Sequence, residues 1–177
     1  MSNNTIERLM REPTEIWEYL VLSLFVFFFG IVFARIGRIL LGVSPAETMF
    51  AESFAVKEHR IFGGAVKLGL YTIGQDCGCW FFLVGGAASH FGNDWRVLAC
   101  AVPVAVLFIF LPPHTAVEKN RKQVFAAIGI GGFILALLYL KCGGWNDESP
   151  RKALLWTCAA HLWTTALIAN AYRKARR

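Results

Sequence analysis

Apolar and polar positions alternate along this chain in long blocks rather than in short strands. Five apolar stretches, 19–43, 68–91, 95–112, 123–141 and 153–172, are separated by links rich in charge, glycine or proline. Blocks of this length exceed the four to eight residues of a buried strand, so they predict helices. A helix of about 20 apolar residues crosses the roughly 30 Å of bilayer hydrocarbon. The expected fold is therefore all-α: a polytopic integral membrane protein of five transmembrane helices. A rival arrangement has four spans and one re-entrant segment, either 68–91 or 95–112. Re-entrant backbone is tolerated only where protein or water covers it.

The links carry their own signals. Residues 1–18 are polar, with Pro13 just ahead of a predicted helix start at Thr14–Trp17. Trp17 and Tyr19 are the amphipathic aromatics expected at a membrane interface. The uncharged core of the first stretch, Tyr19–Ala34, is only about 16 residues, so Arg35 and Arg38 must extend it by snorkelling to one interface. Ser44, Pro45 and Glu47 form a capping box with proline at the first helical position. They open a predicted amphipathic helix over 44–67, lying on the cytoplasmic membrane surface or extending the second span, with a bend available at Gly63–Gly64. Gly92–Asp94 reads as a tight turn. Pro103 interrupts the short third stretch, and Pro112–Pro113 ends it. A basic loop covers 113–122, a polar loop joins the last two stretches, and a basic tail occupies 173–177.

Composition agrees with the pattern. The mean hydropathy is +0.49, and 56% of residues are hydrophobic, above the share of a soluble domain. The net charge of +6 lies in no nucleic-acid-binding pattern, so nucleic acid is not an expected partner. It is better read as the cationic bias of cytoplasmic loops. With five spans and the N-terminus outside, 12 of the 18 basic residues fall on the cytoplasmic side and 6 on the other. That bias puts the C-terminus in the cytoplasm, in a membrane read as a bacterial inner (plasma) membrane. The N-terminal flank is net acidic, unlike a cleaved signal peptide.

Chemistry concentrates in 68–91. Asp76 falls near mid-bilayer in the predicted helix, where an unpaired carboxylate costs at least about 2.5–3.5 kcal/mol. Thr72, Ile73, Cys79 and Trp80 share its helical face, and Gln75 flanks them. In the last stretch His161 shares a face with Thr157, Thr164 and Thr165, and Cys158 is one turn earlier. An Asp76–His161 pair is the expected intramembrane polar site, with Gln75 and Thr72 beside it. The structural alternatives are a plain interhelical hydrogen bond for Asp76 and a threonine-bonded core histidine for His161.

The five cysteines are odd in number and scattered, unlike a disulfide framework. Cys77 and Cys79 are weak candidates for a soft metal or for thiol redox, because residues two apart on a helix point nearly oppositely. Thiol redox would also need an outer exposed cysteine, and Cys142 is the one positioned for it. No cofactor and no catalytic residue is expected. Gly74 with Gly78, Gly85 with Ser89, and Ala127 with Gly131 are small-residue pairs suited to close helix packing or self-association.

Three functions follow as expectations. The first is a non-enzymatic membrane subunit or sensor, of the kind found among immunity proteins. It would be homo-oligomeric and would engage a cytoplasmic protein through its basic loops. The second is an ion- or proton-coupled transport component using Asp76. The third is a thiol or metal protein using Cys77 and Cys79.

Overall fold

The computed structural model describes Thr5 and residues 10–41, 61–92, 94–110, 121–145 and 149–175. Nearly all of these residues are helical, with no strand among them. Helix α1 is Ile16–Leu41, and α2 is Ile61–Asp76. A π-helix, π1, covers Cys77–Val84 and leads without a break into α3, Gly85–Phe91. Then come α4, Trp95–Phe110, and α5, Arg121–Tyr139. A second π turn, π2, is Leu140–Gly144, and α6 is Pro150–Ala175.

The ends of these helices follow local chemistry. Glu18 caps α1 by turning back, its Oε2 accepting from the backbone N–H groups of Thr14 (2.7 Å) and Glu15 (3.2 Å). Asp94 caps α4, its Oδ1 accepting from the Arg96 N–H at 2.9 Å. Gly92 stops α3 at φ 61°, a conformation that favours glycine. Pro103 lies inside α4.

Helix α6 is the hub. It packs along α1, α2, π1, α5 and π2, while α4 packs on α5, α3 and π1. The chain runs up and down through the bundle. The start of α1, the α3–α4 turn and the π2–α6 junction share one end, since π2 touches both α3 and α6, and Lys141 bonds the carbonyl of Arg11. The core between the helices contains Trp80, Val84, Val97, Ala101, Phe108, Ala136, Tyr139 and Leu140, all buried. Facing outward instead are Leu20, Val21, Leu24, Phe25, Phe28 and Val32 on α1, and Val102, Val106 and Phe110 on α4.

Two helices are long and apolar enough to cross a membrane, Ile16–Ile36 with 21 residues and Phe125–Gly144 with 20. The apolar helix Trp95–Phe110 is shorter. Five transmembrane helices are an expectation that goes further than this.

Several boundaries differ from the expectations. Helix α2 runs unbroken through Gly63 and Gly64, since two glycines lower helix propensity by only about 1 kcal/mol each. Residues 61–67 therefore extend the second apolar helix. The rest of the predicted amphipathic helix, 44–60, lies outside the described residues, as do 113–120 of the basic loop and 176–177 of the basic tail. The loop after the fourth stretch is partly tucked in: Cys142, Gly143, Gly144 and Trp145 are all buried.

Candidate functional site

Asp76 is the last residue of α2, midway along the continuous helical rod Ile61–Phe91. From either end it is about fifteen residues, or roughly 22 Å, along the axis. Its side chain is fully enclosed. The same turn of helix that places Asp76 inward also buries Thr72, Gln75, Cys79 and Trp80, at the i, i+3, i+4, i+7, i+8 spacing of a single helical face. Ile73, expected on that face, is 40% exposed and looks outward.

Three side chains converge on the carboxylate. Trp80, one turn later, donates its indole N–H to Oδ1 at 2.7 Å. His161, near the middle of α6, sets its Nδ1 2.9 Å from the same oxygen. When the carboxylate is ionised it only accepts, and Nδ1 is then the ring nitrogen that carries the proton. The thiol of Cys158, one turn before His161, also lies against Asp76. The other carboxylate oxygen, Oδ2, has no hydrogen-bond partner among the described residues, and neither does Nε2 of Gln75. Phe108 of α4 closes the site from the side, its ring 5.1 Å from Trp80 and edge-on to His161 at 5.4 Å.

The threonines of α6 do not join this contact. Thr157 and Thr164 are buried, but their hydroxyls donate to the backbone carbonyls of Ala153 and Ala160 one turn back, each at 2.8 Å. This is the usual local partner for threonine inside a helix. His161 is thus bonded to Asp76 and not to a threonine.

The cysteines are all free. Cys79 is buried and Cys77 partly so, and the two stand on different sides of π1. Cys142 is 1% exposed, so it cannot serve as the exposed outer thiol that a redox relay needs. No group of three metal-ligating side chains occurs among the described residues.

The glycines divide into two kinds. A methyl on Gly85 would lie 2.7 Å from Oη of Tyr139, and one on Gly131 would lie 2.6 Å from the Phe33 ring. Both are places where helices approach closely. Gly74 and Gly78 have open space at the Cβ position and face out of the bundle. A methyl on either would meet no described residue within 4 Å.

A second polar constellation was not anticipated. Residues 10–19 fold over the end of the bundle, where Met10 packs on the core and Pro13 is buried. Lys152 donates to both Glu12 Oε1 and Tyr19 Oη, and its ammonium lies 4.8 Å from the centre of the Tyr19 ring. The bonds from Glu12 and then Tyr19 hold its pKa above the ordinary lysine value. Lys141 Nζ donates to the Arg11 carbonyl at 2.7 Å. Beneath them Gly143, at φ 110°, lets the chain turn, with the Ser149 N–H bonded to its carbonyl at 3.0 Å. The only sequence hint was Gly143–Gly144 between a lysine and a tryptophan.

Comparison with family models, with characterised proteins and with solved structures finds no match to this chain.

Proposed function

We propose that this chain is a non-enzymatic integral membrane protein of five spans, a subunit or sensor rather than a catalyst. The observation that carries this reading is the enclosure of Asp76. The most reactive group in the bundle is fully buried, and it spends Oδ1 on Trp80 and His161 instead of facing a cleft. A carboxylate used on a substrate needs that substrate within hydrogen-bond reach. One held between helices fixes how they pack.

The membrane reading rests on the outward apolar faces of α1 and α4, which water would penalise and lipid would not. The up-and-down order of helices supports five spans. Of the described basic residues, Arg35, Arg38, Lys67, Arg121, Lys122, Arg173 and Lys174 lie on the side opposite the Glu12–Lys152 contact, against Arg11, Arg96, Lys141, Arg151 and Lys152 on its own side. By the positive-inside rule that end is cytoplasmic, in a plasma membrane of bacterial inner-membrane type. The same basic end is the surface offered to a cytoplasmic protein partner, and outward Gly74 and Gly78 suit contact between copies.

Single cysteines in a cysteine-free background, at Thr14 and at Arg173, test the topology. Labelling of intact cells by a membrane-impermeant maleimide should reach position 14 and miss 173; the reverse, or both labelled, sinks it. Asp76→Asn separates the functional classes: a subunit keeps its partner, recovered by copurification, whereas a catalyst or transporter loses turnover while still assembled.

A second reading, an ion- or proton-coupled component, is favoured by one observation. The partner of the buried Asp76 is a histidine, the side chain whose charge changes most readily near neutral pH.

A further inference from the structure

We propose that the Asp76–His161 pair is a binding site for a single proton and not for a metal cation; this rests on the ion- or proton-coupled reading above. The distinction comes from what surrounds the carboxylate. A sodium, potassium or calcium ion needs several oxygens converging on it, typically six or more for calcium. On Oδ1 of Asp76 the described groups within hydrogen-bond distance are the Trp80 indole N–H and the His161 ring nitrogen, with the Cys158 thiol alongside, while Oδ2 has no partner among the described residues. On α6 the buried hydroxyls of Thr157 and Thr164 are committed to the carbonyls of Ala153 and Ala160. A shell of donors repels a cation and steadies an anion.

Charge bookkeeping then favours a proton. With Nδ1–H donated to Asp76, a neutral His161 leaves the pair with one uncompensated negative charge in an apolar interior. One proton added to the lone pair of Nε2 makes an imidazolium beside the carboxylate and brings the pair to zero. No bond other than N–H forms, and no electron moves. His161 is the more accessible partner, with 16% of its side chain exposed against none of Asp76.

The titratable groups facing the pair are few. On its own rod there is Cys79 and on α6 Cys158, with Cys77 next to Cys158; Tyr139 of α5 lies at Gly85, nine residues further along. Helix α4 presents only Phe108. No lysine or arginine among the described residues bonds to the carboxylate.

The test is ¹⁵N-histidine NMR on the full-length protein in nanodiscs, titrated with acid and base. The chain has four histidines, and His161→Gln identifies the signal by its loss. The expected result is a one-proton transition at His161 whose midpoint moves by at least about tenfold in proton concentration in Asp76→Asn. It should not move when choline replaces sodium or potassium. If Asp76→Asn does not fold, Trp80→Phe serves, since it removes one donor from the same oxygen and should also move the midpoint. A midpoint that tracks sodium or potassium overturns the proton assignment while leaving an ion-coupled reading standing. A His161 that titrates indifferently to both variants, or does not titrate at all, overturns both.

Discussion

Trp80 donates its indole N–H to the carboxylate of Asp76 one helical turn earlier, 2.7 Å away and out of reach of solvent. This bond ties the last residue of α2 to the π-helix that follows it. Trp80 also stacks obliquely on Phe108, so one side chain satisfies a buried charge and joins two helices. π-helical turns are rare and concentrate where a helix does something other than pack. Here the π stretch begins immediately after the aspartate.

Trp80→Phe should keep the contact with Phe108 and lose the bond. A hydrogen bond to a charged group contributes about 1.5–3 kcal/mol. Thermal unfolding in detergent should show the corresponding drop in Tm, about 2–4 °C per kcal/mol for a chain of this size. A double-mutant cycle with His161→Gln should return a coupling of about 0.5–3 kcal/mol, because both donors share Oδ1. Strict additivity would mean that the two bonds are independent.

Gly74→Ala and Gly78→Ala should not weaken the monomer. Neither methyl meets an atom within 4 Å, and alanine is better than glycine inside a helix by about 0.5–1 kcal/mol. Gly85→Ala and Gly131→Ala should lower Tm, since Tyr139 and Phe33 must move aside. The same four variants run on size-exclusion chromatography with light scattering read out the outward face. A change of mass in Gly74→Ala or Gly78→Ala alone assigns that face to contact between copies.

Gly143→Ala should cost about 1–3 kcal/mol, from a backbone at φ 110° and from a methyl 2.7 Å from Cβ of Ser149. Proteolysis of the purified protein near 143–149 is the sensitive readout. An unchanged cleavage rate would show that the turn relaxes without strain.

The Glu12–Lys152 contact should hold residues 10–19 over the buried Cys142. In Glu12→Gln at neutral pH, maleimide labelling of Cys142 should rise several-fold above the intact protein, with the remaining cysteines replaced. The pH dependence has a definite sign. The folded pKa of Lys152 is raised, so its stabilisation is complete below the ordinary lysine pKa and is lost as pH rises through the higher folded value. Amide exchange of residues 10–19 should therefore stay protected, after correction for the intrinsic rate, until strongly alkaline pH. Asp94 behaves in the opposite sense. Its side-chain bond from Arg96 lowers its pKa, so the α4 cap is fully stabilised above the ordinary aspartate value and lost as pH falls through the lower folded one.

Much of the site was open to reading from spacing alone. Helical periodicity puts Thr72 and Trp80 on the face of Asp76, because i±4 neighbours stack on any helix. Side-chain chemistry, not periodicity, points to His161 as an apt partner for a buried carboxylate. Periodicity could not assign Ile73, which shares the arc yet points outward, because an arc has no inside until a neighbour covers it. Gly74–Gly78 and Gly85–Ser89 have the same spacing, but only Gly85 meets another helix.

By itself, the sequence determined that the described residues are helical, since long apolar blocks without strand periodicity leave the backbone one way to satisfy its own hydrogen bonds in an apolar setting. It also determined that a carboxylate would stand in the middle of one such helix. The tertiary structure alone decided that His161 and Trp80 share one oxygen of Asp76, that Gly74 and Gly78 face outward, and that Glu12 reaches Lys152 across 140 positions of chain. The reason is physical: periodicity is a property of one helix, whereas a contact depends on which face of a second helix, rotated and translated by everything else in the core, comes to meet it.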